Sequence, residues 1–157
     1  MSGISHNSKT SAVSTLSAAF DRLAELSWPL VRISTGLLLL PHGSQKLFGW
    51  FGGYGLAGTG QFFDTLGLHP GFVIALLAGV VEFFGGLALV FGLLTRPASL
   101  AVAVLMGVAI FRVHLPNGFF WTDGGFEYPL LWGLIAIAIF LRGGGRFSLD
   151  ARFRLPL

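Results

Sequence analysis

Four apolar runs dictate what this chain can become. They cover roughly 26–48, 72–94, 97–113 and 128–141, and a helix needs about 17–25 mostly apolar residues to cross a bilayer. Apolar side chains occupy every face of these runs. They therefore suit neither the alternating strands of a transmembrane barrel nor the one-sided stripe of a surface helix. An all-α membrane protein is predicted: one domain, a four-transmembrane-helix bundle with long outer loops after helices 1 and 3. Composition agrees, since 54% of the 157 residues are hydrophobic, only 11% are charged, and mean hydropathy is +0.76. Soluble domains carry about 25% charge. The fourth run is short, but Tyr128 and Trp132 near one end and Arg142 at the other are types that anchor helix ends at an interface.

The flanks set the topology. Residues 1–15 are rich in Ser and lack the apolar core of a signal peptide, which predicts a flexible tail. Leu16, Phe20 and Leu23 recur at helical spacing and predict an interfacial amphipathic helix over 16–25. The transmembrane domain is then 26–142, followed by a basic tail over 143–157. With four spans, Lys9, Arg22, Arg96, Arg142, Arg146, Arg152 and Arg154 share one side, and Lys46 and Arg112 the other. The positive-inside rule places both termini in the cytoplasm. The sequence pI of ≈ 10.0 is thereby a topology signal and an attraction to anionic lipid, with no call for nucleic acid as a partner. The chain has no cysteine, which excludes electron relay through its own thiols.

Small residues predict where helices approach. Ser99, Ala103 and Gly107 form one stripe, and Ala75, Gly79 and Gly86 another. Neither speaks to chemistry.

Ionisable residues within spans do. Each costs about 2.5–3.5 kcal/mol near the centre, so each needs a partner or a purpose. Arg32, Glu82 and Arg112 stand inside the runs, with Glu82 deepest. At 100° per residue Arg32, Leu39, Gly43 and Lys46 share one stripe of the first helix, and Pro41 is placed to bend that helix just before His42. His42, Gln45, Lys46, Arg112, His114, Asp123 and Glu127 gather toward the outer side. One reading is purely structural: the charges satisfy one another, Glu82 with an Arg or His and Glu127 with Lys46 or Arg112. The other is a pocket with a polar head site and apolar walls, in which His42, Gln45, Lys46, Arg112 and His114 hold a ligand. Arg32 and Glu82 then make an internal ion pair or proton path. A quinone suits such a pocket, because its oxygens need donors. Two lone histidines, His42 and His114, are weak grounds for haem, and no metal motif is present. Phe51 and Tyr54 lie in a Gly/aromatic segment, 48–60, that suits an interfacial anchor or a lid.

The residues His42-Gly43-x-Gln45-Lys46-Leu47-Phe48-Gly49-x-Phe51-Gly52-Gly53-x-Gly55-Leu56 resemble the signature of the DoxX family of small bacterial integral membrane proteins (DoxD/DoxX-like). Arg32 and Gly36, Glu82 with Gly85-Gly86, Gly92-Leu93-x-Thr95-Arg96, His114 with Gly118-Phe119-Phe120, and Gly125-x-Glu127-Tyr128 agree in order over roughly 31–141. The resemblance implies a four-helix protein, usually of the cytoplasmic membrane. Some relatives are subunits of a thiosulfate:quinone oxidoreductase, and others are linked to thiol or oxidative-stress defence beside soluble redox partners. It assigns no catalytic residue. The expectation is a redox-associated inner-membrane subunit that interacts with quinone and works with a partner protein, with homo-oligomerisation open. A non-enzymatic scaffold and a small solute exporter or channel are the alternatives.

Overall fold

The computed structural model describes residues 5–155, with side chains from Ser17 onward apart from Ala19. Among the described residues all regular structure is helical. Helix α1 spans Ser5–Phe48, α2 Gly55–Thr65, α3 Gly71–Phe91, α4 Thr95–Val108, α5 Glu127–Arg142 and α6 Leu149–Arg152. Three stretches are long and apolar enough to cross a membrane: Phe20–Phe48, Gly71–Phe91 and Thr95–Asn117. The fourth expected span is α5, whose 16 residues measure about 24 Å, against a hydrocarbon core of about 30 Å. Its apolar faces pack on α4, as α4 packs on α3 and α3 on α1.

Two expectations for the N-terminal region change. The segment expected as a flexible tail is helical from Ser5, and it runs without a break into the first span; residues 1–4 and the Leu16 side chain lie outside the described part. No glycine or proline interrupts the chain between Ser5 and Trp28, so nothing forces a boundary near residue 25. The helix also continues through Pro29 and Pro41. Beside them, Thr35 Oγ1 donates to the Val31 carbonyl at 2.7 Å and Ser44 Oγ to the Leu40 carbonyl at 2.8 Å, the kind of side-chain support that helices in lipid use.

Glycine lets α1 and α3 approach closely. A Cβ on Gly36 would lie 2.5 Å from the Gly86 carbonyl oxygen, and one on Gly43 2.5 Å from the Phe83 nitrogen. Helices α1 and α3 thus touch backbone to backbone, and Lys46 is carried against Glu82. The predicted stripe on α4 behaves differently: Ser99 is buried, whereas Gly107 has no neighbour within 4 Å of where a Cβ would stand.

The two ends of the bundle are built differently. One, the tail end, carries the C-terminal segment; the other, the loop end, carries the long connections. At the tail end the segment expected as a basic tail folds back as α6. Asp150, 2% exposed, accepts from the Leu94 and Thr95 amides at 2.7 and 2.9 Å, satisfying free N–H groups where α4 begins. Gly92 (φ +67°) has no room for a side chain, because Ser148 and the Arg32 guanidinium lie against it. Trp28 Nε1 donates to the Gly143 carbonyl at 2.9 Å, Arg142 stands 4.6 Å above the Trp28 ring, and Arg146 pairs with Glu25 at 2.8 Å. These contacts join α1 to the end of α5.

At the loop end α2 lies against α3. The corner between them is held by Asp64, whose Oδ1 accepts from the Gly71 amide and from His69 Nδ1, both at 2.8 Å. The Gly71 amide and the His69 ring together hold the Asp64 carboxyl below the usual carboxylate range. Helix α4 leads into a π-helical turn, Ala109–His114, and then into the loop before α5.

Candidate functional site

The widened turn at 109–114 and the gap between α1 and α5 leave a cavity of about 790 Å³ in the loop-end half of the bundle. Its walls are mostly apolar, with Leu39, Ala78, Leu105, Met106 and Trp132 among them. Phe62 and Phe63 of α2, with Leu68, cover it. Charged or imidazole side chains line it at His42, Lys46, Glu82 and His114.

The wall between α1 and α3 carries the ion pair. Lys46 Nζ lies 2.9 Å from Glu82 Oε1 and 2.7 Å from Oε2. The Glu82 side chain is 8% exposed and that of Lys46 22%. One ammonium hydrogen-bonding both carboxylate oxygens is a strong, charge-assisted arrangement, which a buried pair requires. Lys46 also keeps donor capacity, since an ammonium has three hydrogens. His42 stands one turn before Lys46 on α1 and lies within electrostatic reach of Glu82.

His114 is placed by the π turn. Its Nδ1 lies 2.6 Å from the Gly124 carbonyl oxygen. A carbonyl only accepts, so Nδ1 carries the proton and Nε2 of the neutral ring is left as an acceptor. Asn117 Nδ2 donates to the same carbonyl at 3.2 Å, so the loop before α5 and the His114 ring fix each other.

The structure brings together four of the expected site residues and separates the rest. Arg32 and Glu82 do not pair. Arg32 is 1% exposed and lies at the tail end, where it donates to the Leu89 carbonyl, to Val90 at 3.0 Å and to Phe147 at 2.8 Å. Leu89 is seven residues from Glu82, about 10 Å along α3, which is too far for contact. The shared stripe on α1 was right, but the antiparallel packing of α3 hands Glu82 to Lys46 and not to Arg32. Gln45 braces the Gly-rich turn by donating to the Phe51 carbonyl at 3.3 Å. Arg112 is exposed and is not a wall residue; the π turn rotates it away from His114 toward the Gly67 corner. Phe51 and Tyr54, 70% and 84% exposed, stand outside the cavity, and the cover comes instead from α2. Asp123 is exposed and away from the cavity. Glu127 accepts from the Trp121 amide at 3.1 Å and so braces its loop, pairing with neither Lys46 nor Arg112. Among the described residues no group of three or more His, Asp or Glu converges as a metal site.

Sequence reasoning did not find Tyr128 and Trp132 in the wall. Both have the composition of interface anchors, and only their spacing of four, one face of α5, hints at a shared lining.

Comparison with known proteins places this architecture. The chain is 34% identical over 126 residues to a Bacillus subtilis protein named "Putative oxidoreductase CatD", covering 80% of this chain and 86% of the relative. It is 34% identical over 131 residues to the Escherichia coli inner membrane protein YqjF, covering 82% and 93%. It is 33% identical over 134 residues to the uncharacterised membrane protein Rv3486 of Mycobacterium tuberculosis, covering 78% of each. No solved structure matches it. The DoxX family model matches residues 27–115, a stretch that contains Arg32, His42, Lys46, Glu82 and His114 together. The chain belongs to the DoxX family of membrane proteins.

Proposed function

We propose that this protein is a redox-associated subunit of the bacterial cytoplasmic membrane that binds a quinone, or a similar carbonyl-bearing amphipath, in the cavity between its helices. The observation that carries the reading is the Lys46–Glu82 pair, buried on the wall of an otherwise apolar cavity. A pair that served only to join α1 to α3 would gain nothing from facing an open space, where apolar packing would do as well. The donor set fits the ligand: the Lys46 ammonium and the His42 ring are placed for its oxygens, and Leu39, Met106 and Trp132 for its ring. When bound, a quinone supplies a two-electron, two-proton acceptor.

The chain's own residues bind, orient and carry protons. Lys46 polarises the ligand oxygen while remaining paired to Glu82. Glu82 and His42 are groups able to take up and pass on a proton beside that oxygen, and His114, its tautomer set by Gly124, presents an acceptor. Phe62 and Phe63 exclude water. The chain has no cysteine to relay electrons, so in this reading they come from a bound cofactor or a partner protein. The "oxidoreductase" in the name of the Bacillus relative agrees with such a role. In this reading α5 is the fourth span, with both termini in the cytoplasm as the Lys/Arg distribution directs.

The test is mass spectrometry of protein extracted gently into nanodiscs with native lipid. Wild-type protein is expected to carry quinone in excess over bulk lipid extract, and K46M/E82Q to lose that excess while folding normally. Equal quinone in both would sink the reading.

A further inference from the structure

The size of the cavity demands an exit. At about 790 Å³ it lies among sites that enclose a drug-sized molecule, about 300–1,000 Å³. A substituted ring fits that space; a polyprenyl chain of many units does not. Any such ligand must leave its tail outside.

Between α1 and α5 the cavity reaches the outer face of the bundle. Leu38 and His42 of α1 and Tyr128 and Leu131 of α5 line the cavity and are also exposed, Leu38 by 53% and Leu131 by 48%. The Trp28 indole ties α1 to the end of α5 at the tail end, through the Gly143 carbonyl and the Arg142 guanidinium. Ten residues, or about 15 Å of helix, separate Trp28 from Leu38. Toward the loop end Phe62 and Phe63 roof the space. Leu38 and Leu131 belong to apolar helices, so the opening between them meets hydrocarbon and not water.

We infer that the cavity takes its ligand laterally from the bilayer. The polar head lies against Lys46 and Glu82, and the tail passes between Leu38 and Leu131 into lipid. The inference rests on the quinone-like reading of the cavity and adds to it the ligand class, a lipid-tailed head group, and its route.

Narrowing the gap tests it. In the full-length protein in nanodiscs, L38W/L131W adds bulk at two lipid-exposed positions and leaves Lys46 and Glu82 in place. Two probes are compared: a ubiquinone with a polyprenyl tail of eight units, too long for the cavity to enclose, and the same dimethoxy-methyl-benzoquinone head without its chain. The double variant is expected to lose about tenfold or more in affinity for the tailed probe and less than about twofold for the tailless one, a difference of at least about fivefold. Because the chain has no cysteine, L38C/L131C joined by a bismaleimide, with each single cysteine as control, repeats the measurement independently of the tryptophans. Equal losses for both probes, or no loss for either, would overturn lateral passage while leaving the head site intact. Wild-type protein that binds neither probe would overturn the site itself and the route with it.

Discussion

The two ends of the bundle each bury a basic residue of α1, and they use it in opposite ways. At the tail end Arg32 spends its donors on the backbone carbonyls of Leu89, Val90 and Phe147. At the loop end Lys46 meets one carboxylate, Glu82, and the pair faces open space. A guanidinium aimed at carbonyls is a clamp: it is always charged, and its planar fork joins α1, the last turn of α3 and the returning C-terminal segment at once. An ammonium on a carboxylate can lend a hydrogen and exchange a proton. The difference teaches that burial of charge alone does not mark a site. What marks it is burial against a removable partner beside a space.

The strongest test of that contrast is Arg32→Met. It takes the guanidinium from the Val90 and Phe147 carbonyls, which cost about 1–3 kcal/mol each if left unpaired, while Leu89 keeps the Gly92 amide at 3.3 Å; no side-chain substitution can remove those acceptors. Folded yield, read by size-exclusion chromatography in detergent, is expected to collapse without rescue by any second change. Lys46→Met comes next. It leaves Glu82 buried and alone, a loss of about 3–5 kcal/mol for a well-buried pair and less here because Lys46 is partly exposed. Adding Glu82→Gln is expected to restore most of the thermal stability, though not ligand binding. A double variant as unstable as the single would make the loop end a clamp as well. Gly43→Val follows, expected to cost about 1–3 kcal/mol by forcing α1 away from Phe83; Gly107→Ala, with open space around it, should shift the melting temperature little. The smallest effect belongs to the Asp64 corner. Its folded pKa lies below the ordinary 3.8, so its contribution is present above that value and is lost as pH falls through the lower one. Hydrogen exchange at the Gly71 amide should lose protection only in that acid window, and Asp64→Ala should show the loss at neutral pH.

Much of this was legible in the sequence. The apolar runs gave the helices, and the Gly/aromatic signature gave the family. Lys46, His42, Glu82 and His114 stood out because a charge or imidazole within an apolar run needs a reason, and the structure sets all four on the walls of one cavity. The partner of Glu82 was not legible. Arg32 and Lys46 sit on one stripe, and only the register of α1 on α3, set by Gly36 and Gly43, decides between them. Arg112 was grouped with the others by depth alone, which leaves open the face it takes, and residues 109–114 form a π-helical turn that carries it outward. Asp150 escaped notice because its value lies wholly in tertiary contact: it stands in a short basic tail with no pattern of its own, yet it finishes the start of a helix 55 residues earlier.

The π turn carries a consequence for how relatives are to be aligned. Its hydrogen bonds close one residue later than those of an α-helix, so 109–114 holds in effect one surplus residue. A descendant or ancestor that lacked it would run straight through as α-helix, and everything beyond would swing by about 100°, taking the imidazole out of the hollow. A relative one residue shorter between the positions of Ala109 and His114 is therefore expected to lack this arrangement.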